Sequence, residues 1–131
     1  MIRQIKETCL YVKDLEKTKH FYHDLLGLPI IGMVKNRHVF FKAGTSVLLC
    51  FLPEVTKAET EIPPHYGYGK LHLAFEVDEE DYLNWKQKIE NAEIKIVQEY
   101  TWKNGLHSFY FEDPDEHLLE IVPKGLWEKW D

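Results

Sequence analysis

Residues 105–123 read GLHSFYFEDPDEHLLEIVP, and the reading of this stretch decides the fold. Ser108, Tyr110 and Glu112 alternate with Phe109 and Phe111, the period of two that marks a strand. A second short apolar run, LLEIV, occupies 118–122. Between them Asp113-Pro114-Asp115-Glu116 is turn chemistry, with proline presetting φ and the aspartates able to bond nearby amides. The two runs predict a β-hairpin. Glu120 is the odd residue in it, because a carboxylate buried without a partner is costly. Either Glu120 lies on the solvent face of an edge strand, or a cation, a proton or a strong donor stands beside it.

The chain before this hairpin supplies the rest of a module. Residues 71–77 (LHLAFEV) read as a strand with His72 inside it. A helix is predicted from Asp78 or Glu79, with Tyr82, Trp85, Ile89 and Ala92 on its apolar face. A strand over 93–100 and a turn over 102–105 then lead into the hairpin. The order is β-α-β-β-β.

The first half has the same order. Residues 5–12 read as a strand containing Glu7, and Asp14 stands at a helix N-cap position. Leu15, Thr18, Phe21, Tyr22, Leu25 and Leu26 recur at helical spacing until Gly27, with Pro29 preventing continuation. Strands follow over 30–34, 37–43 and 47–52, with Lys35-Asn36 as a tight turn. Residues 54–69 carry Pro63-Pro64 and two glycines, and read as an exposed linker, the alternative being a loop lying over a site. Residues 125–131 form a short aromatic tail, read as a helical turn packed on the surface.

The halves repeat residue by residue. Glu7, Leu10 and Val12 correspond to His72, Phe75 and Val77, and LLCFLP at 48–53 overlies LLEIVP at 118–123. On that alignment Glu7, Cys50, His72 and Glu120 hold corresponding places, and strands curving about a shared axis would turn all four toward one cavity.

Composition narrows the function classes. The 131 residues carry a net charge of −6, with 22 acidic against 16 basic residues. Phosphate neutralisation needs clustered Lys and Arg, so nucleic acid is disfavoured as a partner. No apolar run approaches the roughly 20 residues of a membrane span. No signal peptide is visible, and Cys9 and Cys50 sit in apolar runs as reduced core residues. A cytoplasmic location is expected.

The paired modules, LYVKDLEKTKHFYHDLLGL at 10–28 and SFYFEDPDEHLLEIVP at 108–123 resemble the vicinal-oxygen-chelate superfamily. That superfamily includes glyoxalase I, fosfomycin-resistance proteins, bleomycin-resistance proteins and extradiol dioxygenases. The resemblance covers about residues 3–124. It implies one α+β domain over 1–131: two βαβββ modules (3–53 and 70–124) forming a cupped mixed sheet with helices outside, joined by 54–69, with a tail from 125. It implies a small-molecule substrate and a homodimer.

Transferred by position, the superfamily's metal sites fall on Glu7, Cys50, His72 and Glu120. Glu7 departs from the commoner histidine, and Cys50 reads as core. Glu7, His72 and Glu120 then offer two carboxylates and one imidazole to a divalent ion such as Zn, Ni, Mn or Fe, and either carboxylate would carry protons as the catalytic group. The competing reading is a metal-free polar triad. Tyr110 is expected to orient substrate or to be a wall residue. Arg37 is expected to hold a substrate carboxylate or to lie on the surface. His65 is a candidate fourth ligand or substrate contact. His20, His23 and His117 are expected to be solvated, and His38 and His107 to start strands at the surface, with the cavity as the alternative for His107.

The favoured function is a glyoxalase-type lyase or isomerase, with a bleomycin-resistance-type binding protein as the alternative. An extradiol dioxygenase would want a second histidine where Glu7 stands. A fosfomycin-thiol transferase would continue into a longer basic tail.

Overall fold

The computed structural model describes residues 1–129 and shows an α+β chain of two compact units, 1–69 and from Lys70 onward. Each holds a mixed four-stranded sheet built from one β-α-β-β-β module.

In the first unit the strands are β1 (Glu7–Tyr11), β2 (Ile30–Val34), β3 (His38–Ala43) and β4 (Ser46–Phe51), in the order β1-β4-β3-β2. β1 runs parallel to β4 and the other pairs are antiparallel. Asp14 caps helix α1 (Leu15–Lys19) as expected, its carboxylate accepting from the Lys17 amide at 3.0 Å. The helix widens into a π-helical segment, His20–Leu25, and Gly27 ends it at φ 81°. Asn36 takes φ 61° in the β2–β3 turn, a conformation that asparagine tolerates better than most residues. Tyr22 packs its ring 5.5 Å from Phe41, so Phe41 and its alternates on β3 mark the helix-facing side of the sheet. A short helix α2 (Pro53–Lys57) opens the connection that the sequence shows only as a linker.

The second unit repeats this plan with β5 (His72–Val77), β6 (Gln98–Thr101), β7 (His107–Glu112) and β8 (Leu118–Pro123), ordered β5-β8-β7-β6. Helix α3 (Tyr82–Asn91) follows a 3-10 turn, Glu79–Asp81, and sets Tyr82 against Phe109 at 5.5 Å between rings. β6 starts later than the apolar alternation suggests. Glu93 turns back at φ 59° while the Ile94 amide still bonds the Ile89 carbonyl, so 93–96 serve the helix end rather than the sheet. Lys124 onward forms turns, with Lys129 bonding back to Gly125 and Leu126 buried. Trp130 and Asp131 lie outside the described residues.

Two sequence expectations fail here for clear physical reasons. His117 is buried, not solvated: its amide donates to Asp113 Oδ1 at 2.9 Å and its Nδ1 accepts from the Leu71 amide at 3.0 Å. It locks the hairpin turn to the start of β5. The alignment of Cys50 with Glu120 is off by one residue. Cys9 of β1 pairs with Leu49, whereas Ala74 of β5 pairs with Glu120. Leu49 is therefore the counterpart of Glu120, and Cys50 corresponds to Ile121. Cys50 is fully buried beside Leu10 and Val39 on the helix-facing side, which bears out its reading as core. Both cysteines are free thiols.

Candidate functional site

Each sheet has a second face, away from its helix, and the register assigns the residues on it. In the second unit β8 lies between β5 and β7, so Glu120 sits on a central strand and the edge-strand reading is excluded. Its side chain is only 8% exposed. Phe109, Phe111, Leu119 and Ile121 occupy the helix side. Ser108, Tyr110 and Glu120 occupy the other.

His72 opens β5 and pairs with Leu118. Its Nδ1 donates to the Leu118 carbonyl at 2.8 Å. A neutral imidazole tied in this way presents a lone pair at Nε2. That Nε2 stands 3.4 Å from Glu120 Oε1. Two electron-pair donors thus face one another, an arrangement stabilised by a cation between them or by a second proton on the ring. A backbone carbonyl behind the non-ligating nitrogen is the support a metal-bound histidine usually has. The donor set, one imidazole and one buried carboxylate, fits a first-row divalent ion.

Tyr110 pairs with Glu120 across β7 and β8, and its ring centroid lies 6.2 Å from that of His72. Its hydroxyl lies near enough to Ser108 and Glu120 to interact with both. Burial pushes the phenol pKa up, and the charge and hydrogen bond of Glu120 act in the same direction against the Ser108 bond. Tyr110 is therefore a protonated donor at neutral pH. Next to it a cavity of about 200 Å³ is lined by Val97, Gln98, Tyr100, Trp102, Tyr110 and Leu118. The sequence marks Tyr110 but not Gln98 or Tyr100. The signal for these two is the i, i+2 spacing on β6 once that strand is placed at Gln98–Thr101.

In the first unit Glu7 opens β1 and pairs with Val47, as His72 pairs with Leu118. The repeat correspondence of Glu7 and His72 thus holds in the backbone. Glu7 is exposed. Among the described residues, no set of three or more His, Cys, Asp or Glu side chains is gathered to hold a metal ion. His72 and Glu120 are brought together, and Glu7 belongs to the other unit.

The remaining candidates are engaged locally. His65 Nδ1 is 2.7 Å from the Tyr11 hydroxyl, and its ring meets Phe51 edge-on at 5.0 Å. The connection behind it presses on Tyr11 so closely that a Cβ on Gly67 would stand 3.0 Å from the ring. That segment is packed onto the non-helical face of its own sheet and is more than a linker. Arg37 Nη2 donates to Glu59 at 2.7 Å, and this bond holds the Glu59 carboxyl below its ordinary pKa. His38 opens β3 as expected and stacks on Phe40 at 3.9 Å.

Known proteins match this arrangement along nearly the whole chain. Glutathione transferase FosA of Serratia marcescens is 33% identical over 124 residues, covering 92% of this chain and 81% of that protein. Metallothiol transferase FosB of Staphylococcus saprophyticus is 27% identical over 133 residues, covering 100% of this chain and 83% of that protein. The crystal structure of lactoylglutathione lyase from Agrobacterium tumefaciens superimposes with a TM-score of 0.90 at 34% identity, covering 95% of this chain and 96% of that one. Residues 4–121 match the model of one family. With the repeated module, the DPD hairpin and the His72–Glu120 pair in place, the chain belongs to the glyoxalase/bleomycin resistance protein/dioxygenase superfamily.

Proposed function

We propose that the protein is a metal-dependent enzyme acting on a small oxygenated molecule by glyoxalase-type lyase or isomerase chemistry. The observation that carries this is the His72–Glu120 pair, an imidazole tied through Nδ1 with Nε2 turned to a buried carboxylate. His72 and Glu120 would hold a divalent ion; Glu7, which opens β1 as His72 opens β5, is the corresponding donor of the first unit. The ion, when bound, supplies Lewis acidity toward a substrate oxygen and favours binding through two adjacent oxygens.

The chain's own groups do the rest. Tyr110, kept protonated, donates a hydrogen bond to a substrate oxygen beside Glu120. Glu7 and Glu120 are the groups able to accept and return a proton at a carbon next to a carbonyl. His65, held by Tyr11 and Phe51, would serve as a substrate contact. Arg37 is already committed to Glu59, so a substrate carboxylate would have to displace that partner.

A second reading, thiol transfer to a small oxygenated molecule, is favoured by the 33% identity to glutathione transferase FosA. The likeness to metallothiol transferase FosB, at 27% identity, points the same way. A homodimer in the cytoplasm completes the proposal.

Metal content of protein purified without chelator tests the centre, and two turnover assays separate the readings. Isomerisation of a methylglyoxal–glutathione adduct supports the first. Consumption of glutathione with fosfomycin supports the second. Protein that gives no thermal shift with Mn²⁺, Ni²⁺, Zn²⁺ or Fe²⁺ would turn the assignment toward a binding protein.

A further inference from the structure

The cavity beside the donor pair carries information about the substrate that the metal-centre reading, on which this inference rests, leaves open. Its six lining residues include no charged side chain. Leu118 and Tyr110, two of the six, are the register partners of His72 and Glu120, so the cavity adjoins the pair. Its far wall is aromatic. Tyr100 and Trp102 meet edge-on with ring centroids 4.6 Å apart. Trp102 Nε1 donates to Ser108 Oγ at 2.9 Å, which satisfies the ring's polar edge and fixes its orientation. Tyr100 and Val97 are left 46% and 47% exposed at the rim. An apolar cavity of about 150 Å³ accepts benzene, and this one is about 200 Å³. An anionic group placed here would lose water and meet no cation among the lining residues. A planar uncharged group would gain ring contacts with both walls.

We infer that the substrate carries an uncharged planar group, an aryl or its equivalent, next to the two oxygens that would bind the ion held by His72 and Glu120, with Tyr100 and Trp102 as its binding wall. The test uses Zn²⁺-loaded protein and calorimetric titration with three probes. Acetohydroxamate presents adjacent oxygens alone, benzohydroxamate adds a phenyl ring, and phosphonoformate adds negative charge instead. Benzohydroxamate is expected to bind about tenfold more tightly than acetohydroxamate, the scale of one good aromatic contact plus its burial. Tyr100→Ala should remove most of that preference while leaving acetohydroxamate affinity unchanged, which also reports an intact fold and centre. Equal affinities for the two hydroxamates, or a preference for phosphonoformate, would overturn the inference while the metal-centre reading stood. So would a Tyr100→Ala protein that binds acetohydroxamate normally and keeps the preference unaltered. Failure to take up Zn²⁺ would remove the metal-centre reading and this inference with it.

Discussion

The two modules share a backbone and differ in what they place on it. Reading across the non-helical face in matching register, the second carries His72 on β5, Glu120 on β8 and Tyr110 with Ser108 on β7. The first carries Glu7, Leu49 and Phe40 with His38 at the same places. One face is set out with donors and a phenol. The other is aromatic, with Tyr11, Phe51 and His65 closing over it and Glu7 as its one carboxylate among these positions. Repetition therefore fixes where side chains point, and single positions on each strand choose the chemistry. The helix sides show the reverse. Val39, Phe41, Leu48 and Cys50 in one module and Phe109, Phe111, Leu119 and Ile121 in the other are all almost fully buried, because packing against a helix leaves little freedom.

The largest expected effect breaks the donor face. Glu120→Ala should lower affinity for a divalent ion by more than the roughly 10–100-fold typical of losing an outer-shell partner. Competition with a chromophoric chelator measures it, and unchanged affinity would remove Glu120 from the centre. The next prediction sharpens the register difference. Cys50→Glu buries a carboxylate on the helix side and should cost about 3–5 kcal/mol. Leu49→Glu places the same group on the opposite face, where Glu120 sits in the other module and where Leu49 keeps 9% exposure, and should cost less than Cys50→Glu. Urea denaturation of the two variants ranks them, and the opposite ranking would count against the helix-facing side being the less tolerant of a carboxylate.

The smallest effect concerns how the second module holds its edge strand. Glu99 on β6 accepts from Tyr82 at 2.7 Å and from Lys86 at 2.9 Å, both on α3. The Tyr82 bond first, then Lys86, holds the Glu99 carboxyl below its ordinary pKa, despite some opposing burial. A carboxyl depressed on folding adds stability above the ordinary carboxylate range, and that contribution is lost as pH falls through the lowered folded value. With Glu99 about a third exposed, the contribution should stay below about 1 kcal/mol. Melting curves from neutral to acid pH should show a slightly steeper decline for the natural protein than for Glu99→Gln.

The repeated module was legible because its signals are local. Alternation in 108–112, the N-cap at Asp14 and the stop at Gly27 need no knowledge of the rest of the chain. What escaped depends on partners distant in sequence. His117 looks like a turn residue until Leu71 bonds it from 46 positions away. The one-residue error at Cys50 came from matching Pro53 with Pro123. These prolines have different roles, since Pro53 begins α2 and Pro123 ends β8. Glu7, His72 and Glu120 were singled out as charged or ligating groups within apolar strands. The neighbours of His72 and Glu120 required the pairing of β5 with β8, which no local pattern encodes.

The position of β8 at the interior of its sheet has a mechanical consequence. Glu120 grows from this strand, and the imidazole of His72 is tied to it through the Leu118 carbonyl. Both halves of the pair are thus mounted on one part. A motion that leaves this sheet intact, however far it carries the rest of the protein, leaves their spacing unchanged. An ion arriving between them would find two of its bonds already aimed, with the entropy of bringing them together spent when the sheet folded.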